Sequence, residues 1–282
     1  MDIRILDNAD QSRLEAFLLQ HRDSSMFLRS NAHRVGLDYR DEPFHAVYVG
    51  LLHENQIVGV VAHAWNGMVL LQCPGEIDEL VRKCALWSSR KVAGFSGPVD
   101  QVRRARIALQ LQDSPANMDE EELLYALDLA ELAIPAALQD GEILCRPPLP
   151  GERETLYRWG IAYNIEALGG TDSEETRTRS NATVDRLIAD GNVWVAVRNG
   201  ELVSLSAFNA ALPDIVQLGG IYTPPEFRGC GYAKSSVAGS LIAARQRGVS
   251  RAILFTSNPS AAKSYVAVGF RHIGDYGLVL LK

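Results

Sequence analysis

The chain has 282 residues, 47% hydrophobic and 22% charged, with 23 Gly and 12 Pro; this excludes disorder, collagen-like repeats and fibres and leads us to expect two domains. Up to Ala137 it carries 13 Lys+Arg against 20 Asp+Glu and beyond it 15 against 14, so the net charge of −6 sits in the first half and a nucleic-acid partner is not expected. No apolar run approaches the ~20 residues that span a bilayer, and the start lacks the basic-then-apolar order of a signal peptide, so no membrane partner is expected.

In chain order, Gln11–Arg29 is predicted to be a helical stretch. Ala46–Leu52 and Gln56–Ala62 are β-rich runs around the turn His53-Glu54-Asn55, and Val69–Leu71 adds a third strand. Only Gln72-Cys73-Pro74-Gly75 separates that strand from a helix over Ile77–Trp87. A short strand ends at Ser96-Gly97-Pro98, and Arg103, Arg104 and Arg106 form the solvated face of a short helix. The acidic, proline-interrupted Gln112–Glu122 reads as a loop, Leu123–Leu132 alternates like a strand, and Pro135–Gly141 breaks the pattern. The domain boundary is expected in that break, giving domains 1–137 and 138–282.

The second half repeats the first in β-α-β-β-β-α-β-α-β order. Glu152–Leu168 is helical and Gly169–Asn181 a loop. Val193–Arg198 and Glu201–Phe208 form a hairpin, because Asn199-Gly200 supplies the positive φ angles of a type I′ turn. The strand Ile215–Thr223 follows, then a helix over Ala233–Arg247 with Val237, Leu241 and Ala244 as its apolar stripe. The next strand ends at Ser257-Asn258-Pro259, the counterpart of Ser96-Gly97-Pro98, and a short helix and terminal strand close the chain. The halves differ at one place. Where the first has Gln72–Gly75, the second has Gly220–Ala233, and chemistry is expected in that insertion.

Within it, Arg228-Gly229-Cys230-Gly231-Tyr232-Ala233 follows a strand and opens a helix. Glycines let successive N–H groups turn inward, and the helix N-terminus adds unpaired donors and partial positive charge, so a pyrophosphate is the natural guest. Taken alone, the segment also reads as a plain glycine-rich turn, Asn258-Pro259 as an N-cap followed by proline, and Tyr265 and Phe270 as core aromatics. Cys73, Cys84, Cys145 and Cys230 form no CxxC pair, and the six histidines show no metal-ligand spacing. Neither a metal nor a disulfide framework is expected, and a reducing cytoplasm fits best.

The hexapeptide, with Ile221-Tyr222-Thr223-Pro224 before it and Asn258 followed seven residues later by Tyr265, resembles the cofactor motifs of the GNAT superfamily of N-acetyltransferases, whose loop signature is R/Q-x-x-G-x-G/A. The resemblance covers Gly141–Lys282 in element order. The first half is similar only in layout: it lacks the Arg and both loop glycines, and Gly97 and Ala105 stand near the counterparts of Asn258 and Tyr265. The resemblance implies an α/β fold of two GNAT-like domains, each a mostly antiparallel mixed sheet flanked by helices, the first degenerate. It implies acetyl-CoA as cosubstrate, without a metal. The backbone of Ile221, Tyr222 and Thr223 would hydrogen-bond the pantetheine arm where two strands splay apart. The N–H groups of Arg228, Gly229, Cys230, Gly231, Tyr232 and Ala233, with Lys234, would hold the pyrophosphate. Asn258 would contact the pantetheine, and Tyr265 would protonate the departing thiolate after direct attack by a primary amine of a small molecule or peptide.

The strand 215–223 holds no carboxylate, so a general base must come from Asp214, Glu166 or another segment, or water carries the proton out. Transfer of a longer acyl group, a non-catalytic acyl-CoA sensor and a homodimer stay open. The acceptor stays open too, since Glu174 and Glu175 oppose Arg177 and Arg179 in sign.

Overall fold

The structure, a computed structural model, describes Asp2–Lys282. The chain forms two compact units, one of residues up to Leu123 with Gly274–Lys282, the other of Leu124–Ile273. In the first unit β1 (Asp2–Ile5), α1 (Gln11–Gln20) and α2 (Met26–Val35) precede β2 (Ala46–His53), β3 (Gln56–Ala64) and β4 (Met68–Gln72). Then come α3 (Asp78–Ser88), β5 (Gly94–Pro98), α4 (Val99–Ala108) and most of β6 (Ala116–Asp128). The second unit continues with α5 (Ala136–Gln139), β7 (Leu144–Arg146), α6 (Arg153–Ala167), α7 (Glu174–Ala189), β8 (Val193–Arg198), β9 (Glu201–Ala211) and β10 (Ile215–Tyr222). After these follow α8 (Tyr232–Gln246), β11 (Arg251–Thr256), α9 (Pro259–Val266) and the start of β12 (Arg271–Leu281).

In the first unit the strand order is β1-β2-β3-β4-β5-β12, antiparallel except for the parallel β4–β5 pair. Alternation along β2 builds two cores. Tyr48 faces Leu14, Phe17 and Leu18 of α1, while Val47, Val49 and Leu51 join Leu80 of α3 and Val102 of α4. In the second unit the order is β11-β10-β9-β8-β7, with only β10–β11 parallel. One face packs Phe208, Val216 and Leu218 on Leu241 of α8 and Tyr265 of α9; the other packs Leu205, Ala207 and Tyr222 on Leu156 and Trp159 of α6. Both predicted hairpins form. Asn199 and Gly200 have φ of 51° and 82°, and Glu54 and Asn55 repeat the positive pair at 48° and 63°.

Three local expectations are corrected. The helix over 11–29 is two helices, because Ser24 and Ser25 in the break donate to Gln72 Oε1 at 2.8 and 3.2 Å instead of continuing the turn. The loop over 112–122 is strand from Ala116 onward. Its outward carboxylates Asp119 and Glu121 are held by Arg106 at 2.9 Å and Arg103 at 2.5 Å, which removes the repulsion that disfavours an acidic strand. The loop over 169–181 becomes α7 from Glu174, since the Ser173 hydroxyl accepts from the Thr176 N–H at 3.1 Å and buried Thr176, Ser180, Val184 and Leu187 form one face.

The units also differ from a division at 137. Leu124–Ala137 packs in the second unit, and the last nine residues belong to the first, where Tyr276 through Leu280 pair with Pro98 through Gly94. A 141–282 fragment therefore loses Tyr125, Leu127, Leu129 and Leu132 from its main core and leaves β12 without the β5 edge. Four such side chains stabilise by about 1.5–3 kcal/mol each, comparable to the whole stability of a domain. The fragment is expected to be poorly soluble in gel filtration and circular dichroism; a monomeric, fully active 141–282 fragment contradicts this.

Candidate functional site

The central feature is a fork between β10 and β11. Their parallel ladder runs only from Ile215↔Arg251 to Gln217↔Ile253, although β11 continues to Thr256. Beyond Gln217, β10 stays with β9 alone, pairing Leu218↔Phe208, Gly219↔Ala207 and then Tyr222↔Leu205, so the ladder skips Gly220 and Ile221. Gly220 makes this irregularity possible at φ +63°. The edge of β10 facing the fork at Ile221 is thus offered to whatever enters it. Nearby, the Ser204 hydroxyl donates to Tyr222 O at 3.1 Å and Arg228 Nε to Thr223 O at 3.0 Å, leaving each carbonyl a second lone pair.

The glycine loop leads from the fork into α8. Gly229 and Gly231 both have φ +78°, and a Cβ on Gly229 would meet nothing within 4 Å, so conformation rather than space requires glycine there. Gly231 is the N-cap of α8 and supplies no side-chain cap, so the N–H groups of Tyr232, Ala233 and Lys234 in the first turn have no intrahelical acceptor. The Lys234 side chain folds back over Gly231, where a Cβ would lie 2.9 Å from Lys234 Cε and 3.5 Å from Nζ. Unpaired donors, the positive end of a helix dipole and an ammonium converge on one spot, the arrangement that binds a phosphate anion. Tyr232 contributes its backbone; its ring is buried beside Ala196 and Val203, and its hydroxyl accepts from Arg198 at 2.8 Å. Cys230 is exposed, 3.7 Å through sulfur from Arg228 O.

Asn258 is the N-cap of α9 and Tyr265 lies in its last turn. Asn258 Oδ1 accepts from the N–H groups of Ser260 and Ala261 at 2.9 and 3.2 Å, so this oxygen caps the helix while Nδ2 remains a donor. Seven residues make close to two turns, which puts Tyr265 on the side of the cap. Its ring is buried with Val268 and edge-on to Phe270, centroids 6.2 Å apart.

Among the possible bases, Asp214 stands at the far end of β10, its carbonyl accepting from the Ser250 and Arg251 N–H groups. Glu226 is exposed in the turn Pro225–Phe227. Glu166, near the end of α6, reaches the mouth of the fork, where Oε1 accepts from the Tyr222 hydroxyl at 3.0 Å and Oε2 from Arg228 at 2.6 Å. Burial first, and then this bond, raise the Tyr222 pKa above the ordinary phenol value. Sequence reasoning named Glu166 but not its partnership, which joins positions 62 apart in the chain. It missed Gln217, a polar side chain on β10 at the last rung before the fork. Gln217 is buried and donates to Leu218 O at 2.7 Å, while its Oε1 has no protein partner.

The equivalent place in the first unit is shut. The β4–β5 ladder ends at Leu70↔Ser96, but a Cβ on Gly97 would lie 2.8 Å from Leu71 Cβ and 2.9 Å from its carbonyl, so the strands stay in contact. The next free N–H, that of Cys73, donates to Gln101 Oε1 at 2.7 Å. The helix that follows carries Asp78 and Glu79 in its first turn. The basic cluster of this unit is paired: Arg103 with Glu121, Arg104 with Asp78, Arg106 with Asp119.

Among the described residues no group of three or more His, Cys, Asp and Glu could hold a metal ion, and no helix is long and apolar enough to cross a membrane. Residues 156–270 match the model of the acetyltransferase (GNAT) family. No curated protein matches the sequence. Among solved structures, a GCN5-related N-acetyltransferase from Sphaerobacter thermophilus aligns at TM-score 0.60 and 16% identity over 99% of this chain and 94% of its own. A Drosophila protein aligns at 0.66 and 13% over 99% and 98%. A tandem GNAT protein from the clavulanic acid biosynthesis pathway aligns at 0.54 and 13% over 99% and 97%. At these identities the likeness establishes the fold: a mixed α/β arrangement of GNAT type, spanning a tandem protein of similar length.

Proposed function

We propose, for a chain whose residues 156–270 match the model of the GNAT family of acetyltransferases, that the second unit moves the acetyl group of acetyl-CoA to a primary amine of a small molecule or peptide. The observation that carries this reading is one continuous path, from the strand fork at Gln217–Tyr222 to the glycine loop and uncapped N-terminus of α8 beneath Lys234. Its length of polar backbone suits a pantetheine arm, and its end suits a pyrophosphate.

In this reading Ile221, Tyr222 and Thr223 align the arm through their backbone, and the N–H groups of Gly229 to Ala233, with Lys234, hold the pyrophosphate; the Arg228 N–H, expected among them, instead donates to Pro225 O at 3.2 Å in the preceding turn. Asn258 donates through Nδ2. The acceptor nitrogen attacks the thioester carbon, a C–N bond forms, the C–S bond breaks, and Tyr265 gives its proton to the leaving sulfur. The proton released by the nitrogen passes to water or to a carboxylate at the mouth of the fork. The first unit, where the equivalent strands stay in contact, carries no CoA site in this reading. Four free cysteines fit a reducing cytoplasm.

A second reading, a non-catalytic acyl-CoA-binding module, is favoured by one observation: the central strand offers the uncharged Gln217 where a base would be useful. Acetyl-CoA affinity measured alongside CoA release over a panel of primary amines separates the two. Turnover of any amine supports the transferase, and tight binding with no release on any amine supports the module.

A further inference from the structure

The Glu166 carboxylate is engaged on both oxygens, by the Tyr222 hydroxyl at 3.0 Å and by Arg228 Nη2 at 2.6 Å, while Arg228 Nε holds Thr223 O at 3.0 Å. This network ties the end of α6 and the end of β10 to the first residue of the glycine loop. Its two charges are 42% and 49% exposed, and an ion pair open to water contributes little. A pyrophosphate in the adjoining loop carries more charge than one carboxylate and accepts from the same forked donors. It is therefore a strong competitor for Arg228.

Among the described residues Arg228 is the one ion-pair partner of Glu166, so the carboxylate is left without a cation when Arg228 leaves. Tyr222 cannot follow Arg228 away, because its ring is buried against Trp159, 6.2 Å between centroids. We propose that the CoA pyrophosphate draws Arg228 off Glu166, and that the carboxylate thus uncovered beside the Tyr222 hydroxyl is the ammonium-binding subsite of the acceptor. The inference rests on the acetyl-CoA reading of the loop and deepens it. The acceptor is then a cationic amine that binds after the cosubstrate, and anionic amines are refused by the same charge. Arg177, which the sequence sets against this sign, is neutralised by Asp172 at 2.8 Å.

The test is calorimetric titration of acetyl-CoA into the full-length protein, Glu166→Gln, Arg228→Gln and the double variant. Glu166→Gln keeps the side-chain size and the bond from Tyr222 but removes the charge that holds Arg228, at a half-exposed site where folding is not at stake. Acetyl-CoA is expected to bind Glu166→Gln about fivefold more tightly than the parent, and the gain should vanish in the Arg228→Gln background. In CoA release with cationic, neutral and anionic primary amines, turnover is expected only for cationic ones, with KM for them raised about tenfold by Glu166→Gln. Affinity unchanged by Glu166→Gln, or tightened equally without Arg228, overturns the exchange. An anionic amine as best acceptor, or no acceptor at all, overturns the subsite. Failure of the parent protein to bind acetyl-CoA overturns the underlying reading as well, and so is told apart from the other two.

Discussion

Gly231→Asp is expected to weaken acetyl-CoA binding by at least about 100-fold while leaving the chain folded, because it puts a competing anion where the pyrophosphate must sit. The position is the N-cap of α8, and Asp is a favoured N-cap residue whose carboxylate accepts from the N–H groups of the first turn. The substituted side chain would therefore occupy the donors itself. It would also displace Lys234, whose Cε lies 2.9 Å from the built Cβ, and cancel its charge. The φ of +78° costs a non-glycine residue only about 1–2 kcal/mol, and Asp tolerates it better than most. Gly231→Ala carries the same strain without the anion, so its loss should be far smaller. Equal losses in the two variants would mean that backbone conformation, not charge, governs the site.

The same titration should give one acetyl-CoA per chain. No second site is expected in the first unit, where the strands touch at Gly97–Leu71, Gln101 occupies the Cys73 N–H, and Asp78 and Glu79 stand in the first turn of α3. Two sites per chain, or binding retained in Gly231→Asp, would refute this assignment.

What the sequence discloses and what it hides divide along a physical line. Features set by neighbours in the chain are legible: the Asn199-Gly200 turn, the strand-loop-helix run into α8, the Asn258-Pro259 cap. So is the duplication, because each half repeats the same order of elements. Features set by distant partners are not. An acidic run becomes strand because Arg103 and Arg106 meet its carboxylates, and no local property of Ala116–Glu122 announces that. The final strand β12 reads as the end of the second half, yet it pairs with β5, since strand pairing is chosen by edges rather than by order along the chain. At the site, the turn of the loop into α8 is written in two glycines, but the contact of Glu166 with Tyr222 and Arg228 exists only once α6 packs across β10. Asn258 shows the limit of motif reading in the other direction. Its carbonyl oxygen does what an isolated N-cap would do, so its spacing to Tyr265 has to be tested by function rather than by geometry.

Tyr265→Phe is expected to lower kcat about 100-fold with acetyl-CoA affinity nearly unchanged, the range usual for loss of a positioned proton donor. Direct attack expels a thiolate whose conjugate acid has a pKa of ~8.5, so a donor assists collapse without being indispensable. A phenol, ordinarily at ~10, keeps its proton at neutral pH and can lend it across a hydrogen bond. The structure holds the ring in place. Tyr265 is 7% exposed, packed with Val268 and edge-on to Phe270, and it sits two turns below the Asn258 cap. Phenylalanine keeps that packing and removes one oxygen, so stability should change by no more than about 1–2 kcal/mol and the cofactor path should be left intact. The two roles open to Tyr265 then separate in one experiment. With the ring packing kept in both cases, a core aromatic predicts normal turnover and a proton donor predicts slow turnover with melting nearly unchanged. Loss of acetyl-CoA binding itself would instead make the residue part of the cofactor wall, and the acid role would have to be given up.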